Sequence, residues 1–134
     1  MDAILFFFLK LRQSVRVALT IGYTIIVALL SLLPMRDLPH VHEFRGMDKI
    51  VHFCMYFGMS GLLSWATKTE LRYSRFIYIV AATLGWGLFM EVMQLEMHYG
   101  RQFSWFDMLA NATGVFSGIL VYIISARRVL SQYR

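Results

Sequence analysis

A chain of 134 residues allows one domain, and this one is 58% hydrophobic with only 16% charged residues, where soluble domains run nearer half apolar and a quarter charged. A water-soluble fold this small buries too little of its surface to hide so much apolar area, which makes membrane residence the simpler account. A single cysteine, Cys54, excludes an intrachain disulfide, and two prolines without a low-complexity tract exclude collagen-like and disordered classes. The formal charge of +5 would suggest nucleic acid only if the basic residues lined one stripe; they flank apolar runs instead.

Residues 3–9 are apolar and aromatic but too short to span, so they fit the membrane interface or a slanted extension of the first helix. Uncharged runs then cover residues 17–33, 50–67, 76–90 and 108–126, each near the roughly 17–25 residues that a helix needs to cross a bilayer. The first follows Lys10, Arg12 and Arg16 but exceeds a signal-peptide core and lacks a small-x-small cleavage site, so it stays as helix one. The third has fifteen residues and reaches spanning length only by continuing through Glu91 and Gln94 to Leu95, which puts Glu91 about one turn inside. Backbone polar groups in lipid must be satisfied within the segment, so the runs read as helices. The expected fold is a single all-α membrane domain over residues 1–134, four transmembrane helices in a bundle at about 15–33, 50–67, 76–95 and 105–126.

Lysine and arginine fix the orientation. Nine of thirteen lie on the side of the two termini and the second loop, against Arg36, Arg45, Lys49 and Arg101 on the other side. Both termini are therefore expected in the cytoplasm. In that topology helix two opens with Asp48, Lys49 and His52, helix three ends with Glu91 and Gln94, and helix four opens with Asp107 and Asn111, so the intramembrane polar side chains converge on the outer end. A spacing of four puts Asp48, His52 and Tyr56 on one face, and Asp107, Asn111, Gly114 and Gly118 on another. Ionisable groups inside a bilayer cost roughly 2.5–3.5 kcal/mol on insertion scales and by default mark function.

The series Asp48-Lys49-x-x-His52-Phe53-x-x-Tyr56, then Glu91-x-x-Gln94, then Arg101-x-x-Ser104-x-x-Asp107-x-x-x-Asn111-x-x-Gly114 resembles the VanZ-like family of small bacterial membrane proteins. The resemblance covers the chain from about residue 34 to 118. It implies a multi-pass protein of the bacterial cytoplasmic membrane with a cell-envelope role, the family taking its name from a member that confers low-level resistance to the glycopeptide teicoplanin. It implies no established reaction. Residues 95–100 lack the proline expected there and carry Glu96 and His98.

Each candidate also has a plainer reading. Asp48 and Ser104 stand where helix N-caps belong, and Ser104-x-x-Asp107 matches a capping box. Lys49 and Arg101 could snorkel to the interface or contact generic lipid phosphate. A His52–Glu91 hydrogen bond could serve only to join two helices, and Gln94 and Asn111 suit interhelical bonding. Gly114-x-x-x-Gly118 suits close packing, inside the bundle or between protomers as a homo-oligomer face. Cys54 and the nine methionines read as core or lipid-facing filler.

Two groups of residues in the sequence have the makings of an enzyme site. His40-x-His42-Glu43 with His52 offers metal-ligand types, but the pair sits on a loop without a fixed-spacing partner, so no metal or other cofactor is expected. Asp48, His52, Glu91 and Asp107 form a chemically competent acid/base set, although Ser104 is a nucleophile by proximity only and no Gly-x-Ser-x-Gly turn exists. The expected ligand is a membrane lipid, an anionic envelope lipid or lipid-linked cell-wall precursor, held by Asp48, Lys49, His52, Tyr56, Glu91, Gln94, Arg101, Ser104, Asp107 and Asn111. A membrane-embedded hydrolase or transferase acting on a lipid head group and a purely structural oligomer stand as alternatives.

The charge asymmetry has a direct test in reporter fusions. Alkaline phosphatase fused after Arg134 or at Thr69 should be inactive, and activity at both positions would reverse the orientation.

Overall fold

The computed structural model describes residues 7, 10–33, 46–67, 73–97 and 103–132, apart from the side chains of residues 130 and 132. The described residues form helices without strands: α1 (Gln13–Leu32), α2 (Met47–Ala66), α3 (Tyr73–Glu96) and α4 (Trp105–Gln132). These bounds fall close to the expected spans except at the end of α4, which continues through Arg127 and Arg128. Loss of apolar character ends a hydropathy run but not a hydrogen-bonded helix, and long basic side chains can reach outward from an exposed turn.

Local chemistry sets the other ends. Leu33 turns extended, with ψ 136°, because the following residue 34 is a proline that crowds a helical conformation. Arg12 is likewise extended, with ψ 138°, so the helical turn at Lys10 is separate from α1. Of residues 3–9, only Phe7 is described, and it is exposed. Gly46 precedes α2 at φ 99°, a left-handed conformation that glycine adopts without a Cβ penalty. Gly46 thus holds the cap position that the sequence offers to Asp48. Asp48 instead lies in the first turn, where a carboxylate complements the helix dipole.

Three helices are long and apolar enough to cross a membrane: Gln13–Leu32, Tyr73–Glu96 and Trp105–Val129. α2 is as long as α1, but it carries Asp48, Lys49 and His52 in its opening turns and buries Ser60 and Ser64. It packs against all three of the others, most extensively against α4. The bundle buries polar side chains beside an apolar core of Val27, Met59, Ile79 and Val115, and its outside is apolar. Asn111, Ser60 and Ser64 have no exposure, whereas Ile25, Leu29, Phe89, Phe116, Leu120 and Ile124 are half exposed or more. A soluble protein rarely shows such continuous apolar faces; hydrocarbon accommodates them.

Close contact between α2 and α4 depends on Gly114 and Gly118. A Cβ on Gly114 would strike the Phe53 carbonyl, and one on Gly118 would strike the Phe57 carbonyl and the Ser60 hydroxyl. The Ser60 hydroxyl donates across the same interface to the Val115 carbonyl at 3.0 Å. Both glycines are buried against α2, so this strip packs within the chain.

At the far end of α2, two arginines satisfy carbonyls that a helix C-terminus leaves unpaired. Arg16 Nη1 donates to the Trp65 carbonyl at 2.9 Å and Arg75 Nη2 donates to that of Ser64. Arg16 also lies 6.0 Å from the centre of the Trp65 ring, and Arg75 lies 5.7 Å from that of Tyr122. An apolar crevice of about 400 Å³ near this end, between α1, α2 and α4, is lined in part by Leu19, Gly58, Gly61, Trp65, Gly118 and Tyr122.

The packing makes glycine substitutions position-dependent. Gly114→Ala should cost about 1–3 kcal/mol, the usual range for overpacking, and should lower the melting temperature in detergent. Gly22→Ala, whose Cβ would meet nothing within 4 Å, should be neutral or slightly stabilising, and equal effects at the two positions would contradict the close α2–α4 contact.

Candidate functional site

Three helices deliver one ionisable side chain each to a common point. His52 comes from the second turn of α2, Glu91 from near the end of α3 and Asp107 from the first turn of α4. One ligand-type atom of each lies within 4.8 Å of those of the other two. Glu91 is 2% exposed, and the Asp107 side chain is 13% exposed.

Asn111, one turn beyond Asp107, accepts or donates nothing to solvent because it is wholly buried. Its Oδ1 lies 3.1 Å from His52 Nδ1. An amide oxygen can only accept, so this bond places a proton on Nδ1, and in the neutral ring the lone pair then falls on Nε2. Tyr56, one turn below His52 and 1% exposed, packs beneath the cluster. Gly87 of α3 makes room for that arrangement, because a Cβ there would lie 3.2 Å from both the Tyr56 ring and the Asn111 amide.

The start of α4 differs from the expected capping box in one informative respect. Ser104 Oγ accepts the Asp107 backbone N–H at 3.3 Å, the cap half of the motif. The reciprocal half comes from another helix: the Ser104 N–H donates to Glu91 Oε2 at 3.4 Å. Asp107 is thereby released from the capping role, and its Oδ1 lies 3.4 Å from Lys49 Nζ.

Lys49 also bonds Asp48 at 2.7 Å. Both precede the uncharged run 50–67. The hydrogen bond from Lys49 holds the Asp48 carboxyl below its ordinary range, and the same bond raises the Lys49 ammonium. Asp48 is 56% exposed, so it belongs to the rim of the cluster.

Gln94 takes a different direction. Its amide donates to the Ser31 carbonyl at 2.7 Å, tying α3 to α1. Arg101, His40, His42, Glu43 and His98 lie outside the described residues. Periodicity offered no sign that Gly87 would admit Tyr56 and Asn111 together, although a small residue at a buried helix crossing is the general signal for such an approach.

The fold and this cluster define an all-helical, polytopic type of membrane protein with a polar site among its helix ends. The chain belongs to the VanZ/LLP1 family, whose model matches residues 3–126. No curated protein and no solved structure matches it.

The His52–Asn111 bond can be measured as a coupling. Substituting each by alanine, singly and together, should show an interaction energy on the order of 1 kcal/mol, as for other interhelical bonds in membranes. Unfolding in bicelles supplies the measurement, and strictly additive losses would separate the two side chains.

Proposed function

We propose that the chain spans the bacterial cytoplasmic membrane four times with both termini inside, and that its polar cluster opens outward to bind an anionic envelope lipid or a lipid-linked cell-wall precursor. The role is accessory and VanZ-like, acting in the envelope under glycopeptide challenge of the teicoplanin type. The observation that carries this reading is the meeting of His52, Glu91 and Asp107 at the ends of three helices, with Lys49 at the rim. Such a concentration of buried polar groups in an otherwise apolar-faced bundle marks a place where a polar molecule enters.

Arg101 completes the reading. It stands three residues before Ser104 in the sequence, and a guanidinium can grip a phosphate or carboxylate through two parallel hydrogen bonds. Lys49 would support it. His52 and Asp107 would orient hydroxyl or amide groups of the same head group, while the acyl or polyprenyl chain stays in the surrounding hydrocarbon. The same groups could serve an acid/base reaction on that head group, and turnover of a lipid-linked substrate would convert the binding role into an enzymatic one.

Native mass spectrometry of the protein extracted from its own membrane tests the proposal. A co-purified anionic lipid should be retained by wild type and lost several-fold in Arg101→Lys at equal abundance, since an ammonium keeps the charge but not the two-pronged contact. Equal retention by Lys and Arg would reduce Arg101 to an interfacial charge, and full activity after removal of His52, Glu91 and Asp107 would leave the cluster a structural role.

A further inference from the structure

We propose that His52, Glu91 and Asp107 bind a divalent first-row metal ion, of the Mn2+ to Zn2+ kind. The three side chains come from three helices, so their convergence is a product of tertiary packing and not of one motif. Nitrogen and oxygen ligands sit roughly 2.0–2.2 Å from such an ion, which places ligand atoms about 3–4.4 Å from one another. The atoms here all lie within 4.8 Å. Small side-chain rotations close that difference.

The imidazole is already arranged for the task. Metal-bound histidines generally donate their second ring N–H to a carbonyl or carboxylate, which fixes the tautomer and raises the basicity of the coordinating nitrogen. His52 has that arrangement, with Nδ1 against the Oδ1 of the fully buried Asn111, so a neutral ring would coordinate through Nε2. Asp107 supplies a second, independent sign. Its Oδ1 is shielded from solvent and is held only by the ion pair with the Lys49 ammonium 3.4 Å away. The ammonium already draws this oxygen toward a cation, and a divalent ion would compete for the same place.

Charge balance points the same way. Asp48 and Asp107 both face the Lys49 ammonium, and the Glu91 carboxyl lies in the same group as Asp107 and His52. Close carboxylates in a medium of low dielectric repel, and a divalent ion relieves that repulsion more than a proton on either one. An imidazole with two carboxylates favours Mn2+, Fe2+ or Zn2+ over the all-oxygen preferences of Ca2+ and Mg2+. Three protein ligands leave coordination positions open for an oxygen of an incoming phosphate. That last role rests on the lipid-binding reading above; the metal site itself rests on the geometry.

The experiment uses the full chain in detergent, stripped with a chelator and titrated with Co2+ followed by its visible absorption, then with Zn2+ and Mn2+ by calorimetry. One ion per chain should bind. Asp107→Asn should weaken it at least tenfold, and Asn111→Ala by about 10–100-fold, the usual effect of removing the group that orients a ligand histidine. Lys49→Gln should tighten binding several-fold by removing the competing ammonium. That gain cannot come from misfolding. Absence of saturable uptake, uptake indifferent to Asp107→Asn, or weaker binding in Lys49→Gln would each overturn the site.

Retention of phosphatidylglycerol from nanodiscs, compared with and without chelator, separates the two readings. Metal uptake without lipid retention would remove the lipid proposal and leave the metal site standing. Lipid retained by a chain that takes up no metal would do the reverse.

Discussion

Gly114 and Gly118 bring the backbone of α4 against the Phe53 and Phe57 carbonyls of α2, at a separation that no larger residue permits. Association of helices in a bilayer lacks the hydrophobic drive available in water, so it depends on close packing and on hydrogen bonds between helices. The glycine contact supplies the first, and the Ser60–Val115 bond beside it supplies the second. Together they fix how far α4 is shifted along α2. One turn above Gly114 on α4 is Asn111, and one turn above Phe53 and Tyr56 on α2 is the level of Lys49 and His52, so the register that seats the glycines also sets Asn111 beside His52.

α3 is positioned by the same logic at a third crossing. Gly87 lets its backbone approach the Tyr56 ring and the Asn111 amide, and one turn further on Glu91 reaches the Ser104 N–H at the start of α4. A carboxylate on one helix thus completes the cap of another. The substitution matters for chemistry, because a capping box closed by its own residue would have tied Asp107 to the Ser104 backbone. With Glu91 in that place, the Asp107 carboxylate turns to Lys49 and His52. Gln94 and the two arginines at the opposite end, Arg16 and Arg75, bond backbone carbonyls and hold the remaining edges of the bundle.

Much of this was legible in the sequence, and the part that was not has a physical reason. Uncharged runs give away membrane helices because lipid penalises every exposed charge, and the alternating direction of those runs places Asp48, His52, Glu91, Asp107 and Asn111 at one end of the chain's helices. The helix ends were read less well: Gly46 took the cap from Asp48, and α4 ran on past Ala126. The direction of Gln94 toward Ser31, and the pairing of Asn111 with His52 in place of a His52–Glu91 hydrogen bond, depend on rotation of each helix about its axis. Periodicity finds which residues share a face; only the contacts between faces show which partner each one meets. Arg16 and Arg75 carried a topological signal in the sequence, and nothing in their spacing announced that they would finish α2.

The account turns on the tautomer and partner of His52, since both follow from the register of α2 against α4. Solid-state nitrogen NMR of the chain in lipid bilayers, with labelled histidine and asparagine, reads them directly. It should show a protonated Nδ1 in contact with the Asn111 side chain and an unprotonated Nε2. A histidine protonated on Nε2 alone, or without proximity to Asn111, would contradict the register and with it the arrangement of the site.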